Sequence, residues 1–170
     1  MPLGDPMEID KSLHIAASPV QIWNVLLDPH AMSKCVPGMQ SIEVVSPDEY
    51  AASMHVKIAF VSARFKLRTR IVDRQEPFFL KAEGTGEDSS VASSLKQTTE
   101  LTLTPQDDDM TDLRIQVQVE LLGRMGNFGL SVMKTKADRL WDEFGVNLSA
   151  MLNGAEALPG VGETDALKTT

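Results

Sequence analysis

Few side chains in this 170-residue sequence have the type and spacing that catalysis or metal binding needs. The histidines His14, His30 and His55 are far apart in the sequence, and none has a partner at zinc-site spacing. Cys35 could act as a nucleophile if a neighbouring base or cation stabilised its thiolate, and Lys34 is adjacent. A small residue that packs before a turn is the favoured interpretation of Cys35. We therefore predict no catalytic residue and no metal site here.

A group of carboxylates is the second candidate for chemistry. Glu83, Glu87 and Asp88 could supply a general acid and a general base. They stand beside Gly84 and Gly86 at the end of a predicted strand, which favours a solvated turn. The two glycines do not open a helix, so their spacing does not predict a phosphate-binding loop.

A row of cations occupies alternate positions of one predicted strand: Arg64, Lys66, Arg68 and Arg70. Alternation places all four on one outward face. In a chain with a net charge of -8, such a row could meet an anionic membrane surface or an acidic protein partner. Cross-strand pairing with carboxylates such as Glu83 is the other interpretation, and the sequence leaves both open.

Hydrophobic periodicity predicts the elements that position these residues. Residues 7–17 fit a first strand. Ser18 is a preferred N-cap and Pro19 a preferred first helical residue, so a helix begins there and ends at Asp28-Pro29. A short turn of helix over residues 30–34 is expected next.

A two-residue period then runs from Met39 to Leu121 and predicts about six or seven antiparallel strands with one dry face. From about residue 125 to residue 152 the period becomes helical, which predicts a helix roughly 40 Å long at 1.5 Å per residue. This order of elements predicts an α+β fold in which the sheet wraps around the C-terminal helix.

The dry face of the sheet is the place where an apolar ligand could lie. Its rows contain no His, Asp or Glu, so acid–base catalysis has no inward candidate. Glycine costs roughly 1 kcal/mol against alanine inside a helix, so Gly126 and Gly129 serve either close strand packing or ligand space. Methionine suits a variable apolar partner but is also common in cores. The predicted lining is Tyr50, Met54, Val56, Ile58, Phe65, Leu67, Leu80, Leu101, Ile115, Val117, Gly126, Gly129 and Met133, with Phe78 in phase with Leu80.

Composition bounds the class of protein. One domain over residues 7–152 is expected, with disordered segments at 1–6 and 153–170. The acidic balance argues against nucleic acid as a partner. A single cysteine, no signal-peptide pattern and no long apolar run predict a soluble protein of the cytoplasm.

Several short motifs together resemble the CoxG family, named after the CoxG subunit of carbon monoxide dehydrogenase, over about residues 7–152. They are Ala17-Ser18-Pro19, Trp23, Asp28-Pro29, Cys35-Val36-Pro37-Gly38, Val56-Lys57, Val61-Ser62-Ala63-Arg64-Phe65, Gly123-Arg124-Met125 and Asp142-Glu143-Phe144.

The resemblance implies the helix-grip fold of the START-like superfamily, with a hydrophobic cavity between sheet and helix. It also implies a non-enzymatic accessory protein for a molybdenum hydroxylase of the carbon monoxide dehydrogenase type, with no cofactor of its own. Such a protein would bind a quinone or isoprenoid-like lipid and touch the inner membrane peripherally. Tyr50 could then donate its hydroxyl to a quinone carbonyl. A START-like cyclase or hydrolase and a purely structural assembly factor are the alternatives.

Overall fold

A computed structural model describes residues 7–58, 60–88, 93–123 and 130–152. Within these ranges the chain forms seven strands and three helices. In chain order they are β1 Met7–Ile15, α1 Pro19–Leu26, α2 Pro29–Cys35, β2 Met39–Ser46, β3 Glu49–Ile58, β4 Val61–Gln75, β5 Phe79–Asp88, β6 Ser93–Pro105, β7 Thr111–Gly123 and α3 Leu130–Leu152.

The strands form one antiparallel sheet in the order β1-β7-β6-β5-β4-β3-β2. Consecutive strands from β2 to β7 are neighbours, and β1 joins the free edge of β7. The predicted α+β architecture, an antiparallel sheet with a long C-terminal helix, is confirmed. The predicted start of that helix near residue 125 falls outside the described residues.

Side-chain caps fix the starts of the first two helices. Ser18 and Gln21 form a reciprocal capping box, with Pro19 as the first residue of α1. The carboxylate of Asp28 accepts hydrogen bonds from the backbone amides of His30 and Ala31, so it caps α2. Asp28-Pro29 therefore ends one helix and begins the next.

Helix α3 packs most closely against β1 and α2. The ammonium group of Lys11 lies 3.2 Å from the carboxylate of Asp142 and 3.7 Å from that of Asp138. A Cβ on Gly145 would come within 2.8 Å of a methyl group of Leu13, so the glycine lets helix and strand approach closely. Lys11, which interrupts the apolar row of β1, thus pairs with the helix that covers that row.

One sequence prediction about the sheet is wrong. Alternation predicts Phe78 on the inward face in phase with Leu80, but Phe78 precedes β5 and its side chain is 48% exposed. Its backbone bonds to Gln75 and Leu103 hold it in the turn between β4 and β5. In the described part of the chain, no helix is long and apolar enough to span a membrane.

Candidate functional site

The inner face of the sheet, which α3 partly covers, is built from side chains in cross-strand register. Two neighbouring rows run across its middle from β3 to β7. The first row is Tyr50, Thr69, Gly84, Gln97 and Val119. The second row is Ala52, Leu67, Gly86, Leu95 and Leu121. We call these two rows the central patch.

The central patch is only half-buried, apart from its two glycines. The side of the face nearest α3 differs, because Ile9, Ile115 and Val117 are each no more than 3% exposed. Since the central patch points toward the interior, solvent reaches an inward-facing apolar surface there. This surface is where a ligand can enter without displacing packed core.

Two glycines of β5 shape the floor of the central patch. A Cβ on Gly86 would lie 2.5 Å from Leu67 Cδ2 and 3.2 Å from Leu95 Cγ, so both leucines lean over the glycine. A Cβ on Gly84 would lie 3.1 Å from Thr69 Oγ1 and 3.2 Å from Gln97 Nε2. The hydroxyl and the amide therefore converge at one point of an otherwise apolar surface.

The predicted lining residues fall into two groups. A half-buried group comprises Tyr50, Met54, Val56, Leu67 and Leu101. A buried group comprises Ile58, Phe65, Leu80, Ile115, Val117 and Met133. Gly126 and Gly129, predicted to flank an entrance, lie outside the described residues.

Gln97 is a residue of the central patch that the predicted lining omits. It is in phase with Leu95, Thr99 and Leu101 on β6, and its register partners are Gly84 and Val119. Its parity is the signal that could have found it. Hydrophobic alternation selects against a polar side chain in an apolar row.

The solvated-turn interpretation of Asp88 is also wrong. Strand β5 extends to Asp88, whose side chain is 7% exposed and shares the face of Gly84 and Gly86. The β4–β5 ladder ends at Lys66 and Glu87, and the backbone amide of Arg64 donates a hydrogen bond to Asp88 Oδ2. The inner face therefore contains a carboxylate, which satisfies the amide beyond the end of the ladder.

Cys35 occupies a packing position rather than a reactive one. It is fully buried at the end of α2, with its Sγ 3.9 Å from Met151 Sδ of α3. Burial raises the pKa of the Cys35 thiol, which disfavours the nucleophilic thiolate. The side-chain amide of Asn147 donates to the carbonyl oxygen of Cys35 at 3.0 Å.

The histidines lie away from the central patch. The side chain of His14 is 76% exposed and contacts Asp112, and His30 is exposed. His55 Nε2 is within hydrogen-bond distance of Ser62 Oγ. No three metal-ligating side chains meet anywhere in 7–58, 60–88, 93–123 or 130–152.

The four predicted surface cations, Arg64, Lys66, Arg68 and Arg70, are all exposed. Arg68 Nε lies 3.1 Å from Glu49 Oε2. Arg70 has Glu49 as its register partner on β3 and Glu83 on β5. Within the described ranges, Arg64 and Lys66 have no ion-pair partner. Both interpretations of the row thus apply, each to one half of it.

Comparison with known proteins identifies both the fold and the family. A family model described as the CoxG subunit of carbon monoxide dehydrogenase matches residues 12–153. No curated protein matches the chain at a significant level of similarity.

Solved structures share the fold at low sequence identity. A conserved protein from Geobacillus kaustophilus superposes with a TM-score of 0.81 at 23% identity, covering 88% of this chain and 97% of that one. A START superfamily protein from Mycobacterium smegmatis gives 0.67 at 16% identity over 88% and 99%. An aromatase/cyclase from Streptomyces sp. R1128 gives 0.67 at 12% identity over 91% and 98%. The chain therefore has the START-like fold.

Proposed function

Since this chain belongs to the CoxG family of carbon monoxide dehydrogenase, we propose that it is a non-enzymatic ligand-binding accessory protein. Its ligand is a quinone or isoprenoid-like lipid, held on the inner face of the sheet. Its partner is a molybdenum hydroxylase of the carbon monoxide dehydrogenase type, which it serves beside the inner membrane.

The half-burial of the central patch carries this proposal. Tyr50, Ala52, Leu67, Leu95 and Leu121 point inward and are still reached by solvent. Covering about 300 Å² of such apolar surface would contribute about 7 kcal/mol before the cost of association. That gain supports useful affinity for a largely apolar molecule.

The polar groups of the central patch favour a ligand with oxygen atoms over a pure hydrocarbon. Thr69 Oγ1 and Gln97 Nε2 converge over Gly84, and Tyr50 is the register partner of Thr69. A few placed donors within an apolar lining are typical of ligand sites that orient one polar head. A quinone carbonyl flanked by an isoprenoid chain has this combination.

The inner face supports binding better than catalysis. Asp88 is the carboxylate that the described residues bring to this face, and it accepts the backbone amide of Arg64. An acid–base catalyst must instead reach the substrate with its proton-carrying atoms. The likeness to an aromatase/cyclase, at 12% identity, concerns the fold.

Extraction and titration together test the proposal. The purified chain is extracted with organic solvent and the extract analysed by mass spectrometry. The delipidated chain is then titrated with a short-chain menaquinone by calorimetry. We expect one quinone per chain with a Kd of about micromolar or tighter. A chain that yields no lipid and gives no binding heat would overturn the proposal.

A further inference from the structure

Phe60 stands out on the surface at the turn between β3 and β4. Its side chain is 86% exposed, the largest value among the exposed large hydrophobic residues of the described ranges. Single exposed apolar residues are common on protein surfaces. Phe60 acquires meaning from the charges around it.

Three cations lie on the outer face of the same hairpin: Lys57 on β3, and Arg64 and Lys66 on β4. All three are exposed, and none forms an ion pair with a described residue. Glu87 is the register partner of Lys66, yet their charged groups are more than 4.0 Å apart. We call Phe60 with these three cations the hairpin tip.

The cations at the other end of the hairpin are neutralised. Arg68 pairs with Glu49, and Arg74 pairs with Asp48. Arg70 stands between Glu49 and Glu83 in register. Unpaired positive charge is thus concentrated at the hairpin tip, within a chain whose net charge is -8.

The depth order of the hairpin tip matches a lipid bilayer. Lys57, Arg64 and Lys66 are three to six residues from Phe60, which places them roughly 10–20 Å behind it at about 3.3 Å per strand residue. Amphipathic elements bury apolar groups about 5–10 Å into the headgroup–acyl boundary. Long cationic side chains can then reach forward to the phosphates.

A protein partner fits the hairpin tip less well. A specific protein interface buries about 800 Å² on each side and has an apolar centre of several residues. The hairpin tip presents one aromatic ring with cations behind it. A ring that enters a fluid phase, with charges facing an anionic surface, needs no matching pocket.

We propose that the hairpin tip docks this protein on anionic membranes, with Phe60 in the headgroup–acyl boundary and Lys57, Arg64 and Lys66 on lipid phosphates. Ile58, Val61, Asp88, Ser93 and Gly123 lie at this same end of the sheet, as the antiparallel register requires. Docking therefore turns that end toward the lipid. The inference does not depend on quinone binding by the central patch.

Vesicle cosedimentation of the full chain tests the proposal. The vesicles contain equal parts of phosphatidylcholine and phosphatidylglycerol, with pure phosphatidylcholine vesicles as reference. We expect binding to the anionic vesicles that weakens with salt. Phe60→Ser should lower the partition coefficient about tenfold, and so should the double variant R64Q/K66Q. Absence of wild-type binding to anionic vesicles would overturn the proposal and leave a protein partner for this surface.

Matched controls separate docking from general effects. Phe78→Ser removes an exposed phenylalanine at the opposite end of the sheet, and R68Q/R70Q changes net charge as much as R64Q/K66Q does. Both controls should stay within about twofold of wild type, because their sites face away from the bilayer or are already paired. Equal losses in controls and tip variants would contradict the proposal.

Depth measurement gives an independent readout. Lipids brominated near the headgroup should quench the tryptophan of Phe60→Trp strongly and that of Phe78→Trp weakly. Equal quenching would refute insertion of the tip. Quinone titration of Phe60→Ser without vesicles should match wild type, so failure of docking and failure of ligand binding give different results.

Discussion

Thr69 and Gln97 approach one point of the inner face from opposite sides of Gly84, with Oγ1 and Nε2 at 3.1 and 3.2 Å from the position of a Cβ there. Any side chain at position 84 would fill that point. The glycine therefore keeps two hydrogen-bonding groups accessible on a surface otherwise lined by leucine and alanine.

Removing these polar groups should weaken binding of a quinone but not of a hydrocarbon. Thr69→Val and Gln97→Leu should each raise the quinone Kd about fivefold, since a hydrogen bond contributes about 1 kcal/mol. Titration with an isoprenoid hydrocarbon of similar length should show little change. Thr98→Val, one residue along β6 on the outer face, is the control. An equal loss for the hydrocarbon would show that shape alone was altered.

The carboxylate of Asp88 should stabilise the fold. Asp88→Ala leaves the backbone amide of Arg64 without this acceptor, which costs about 1–3 kcal/mol. Glu87→Ala, at the neighbouring exposed position, should change the free energy of unfolding by less than about 0.5 kcal/mol. Urea unfolding measures both variants. Equal midpoints for the two would refute the structural role of Asp88.

Cys35 should resist alkylation and should impose a pH dependence on stability. Burial raises the pKa of its thiol in the folded state, so the folded chain keeps a proton that the unfolded chain loses above about pH 8.5. The stability from this group is present below that pH and falls as pH rises toward the folded pKa.

The difference in unfolding free energy between wild type and Cys35→Ala should therefore be constant below about pH 8 and shrink above about pH 9. Urea unfolding in reducing buffer measures it. Iodoacetamide should modify the folded chain far more slowly than the urea-unfolded chain. A difference that grows with pH, or rapid alkylation of the folded chain, would contradict the burial of Cys35.

Local signals made much of the fold predictable. Strict alternation marked the strands, and Ser18-Pro19 and Asp28-Pro29 marked the helix starts. The errors concern residues whose environment depends on distant parts of the chain. Asp88 resembles a turn residue until the register shows that β5 reaches it, and Phe78 is displaced by the turn before β5.

The candidate site was predictable in its rows but not in its coverage. Parity placed Tyr50, Met54 and Leu67 on the inner face. Which inward residues stay open depends on where α3 lies, and α3 packs against β1 rather than over the middle of the sheet. Register likewise decides which cations find carboxylates, so Arg68 is paired and Lys66 is not.

The most direct test compares quinone binding by two neighbouring alanine variants. Ala52 is in the central patch beside Leu67, whereas Ala51 is on the outer face beside Arg68, and both are half-buried. Ala52→Phe should raise the Kd at least about tenfold by filling the ligand space, and Ala51→Phe should leave it unchanged. Wild-type affinity in a folded Ala52→Phe variant would contradict a ligand site on the inner face.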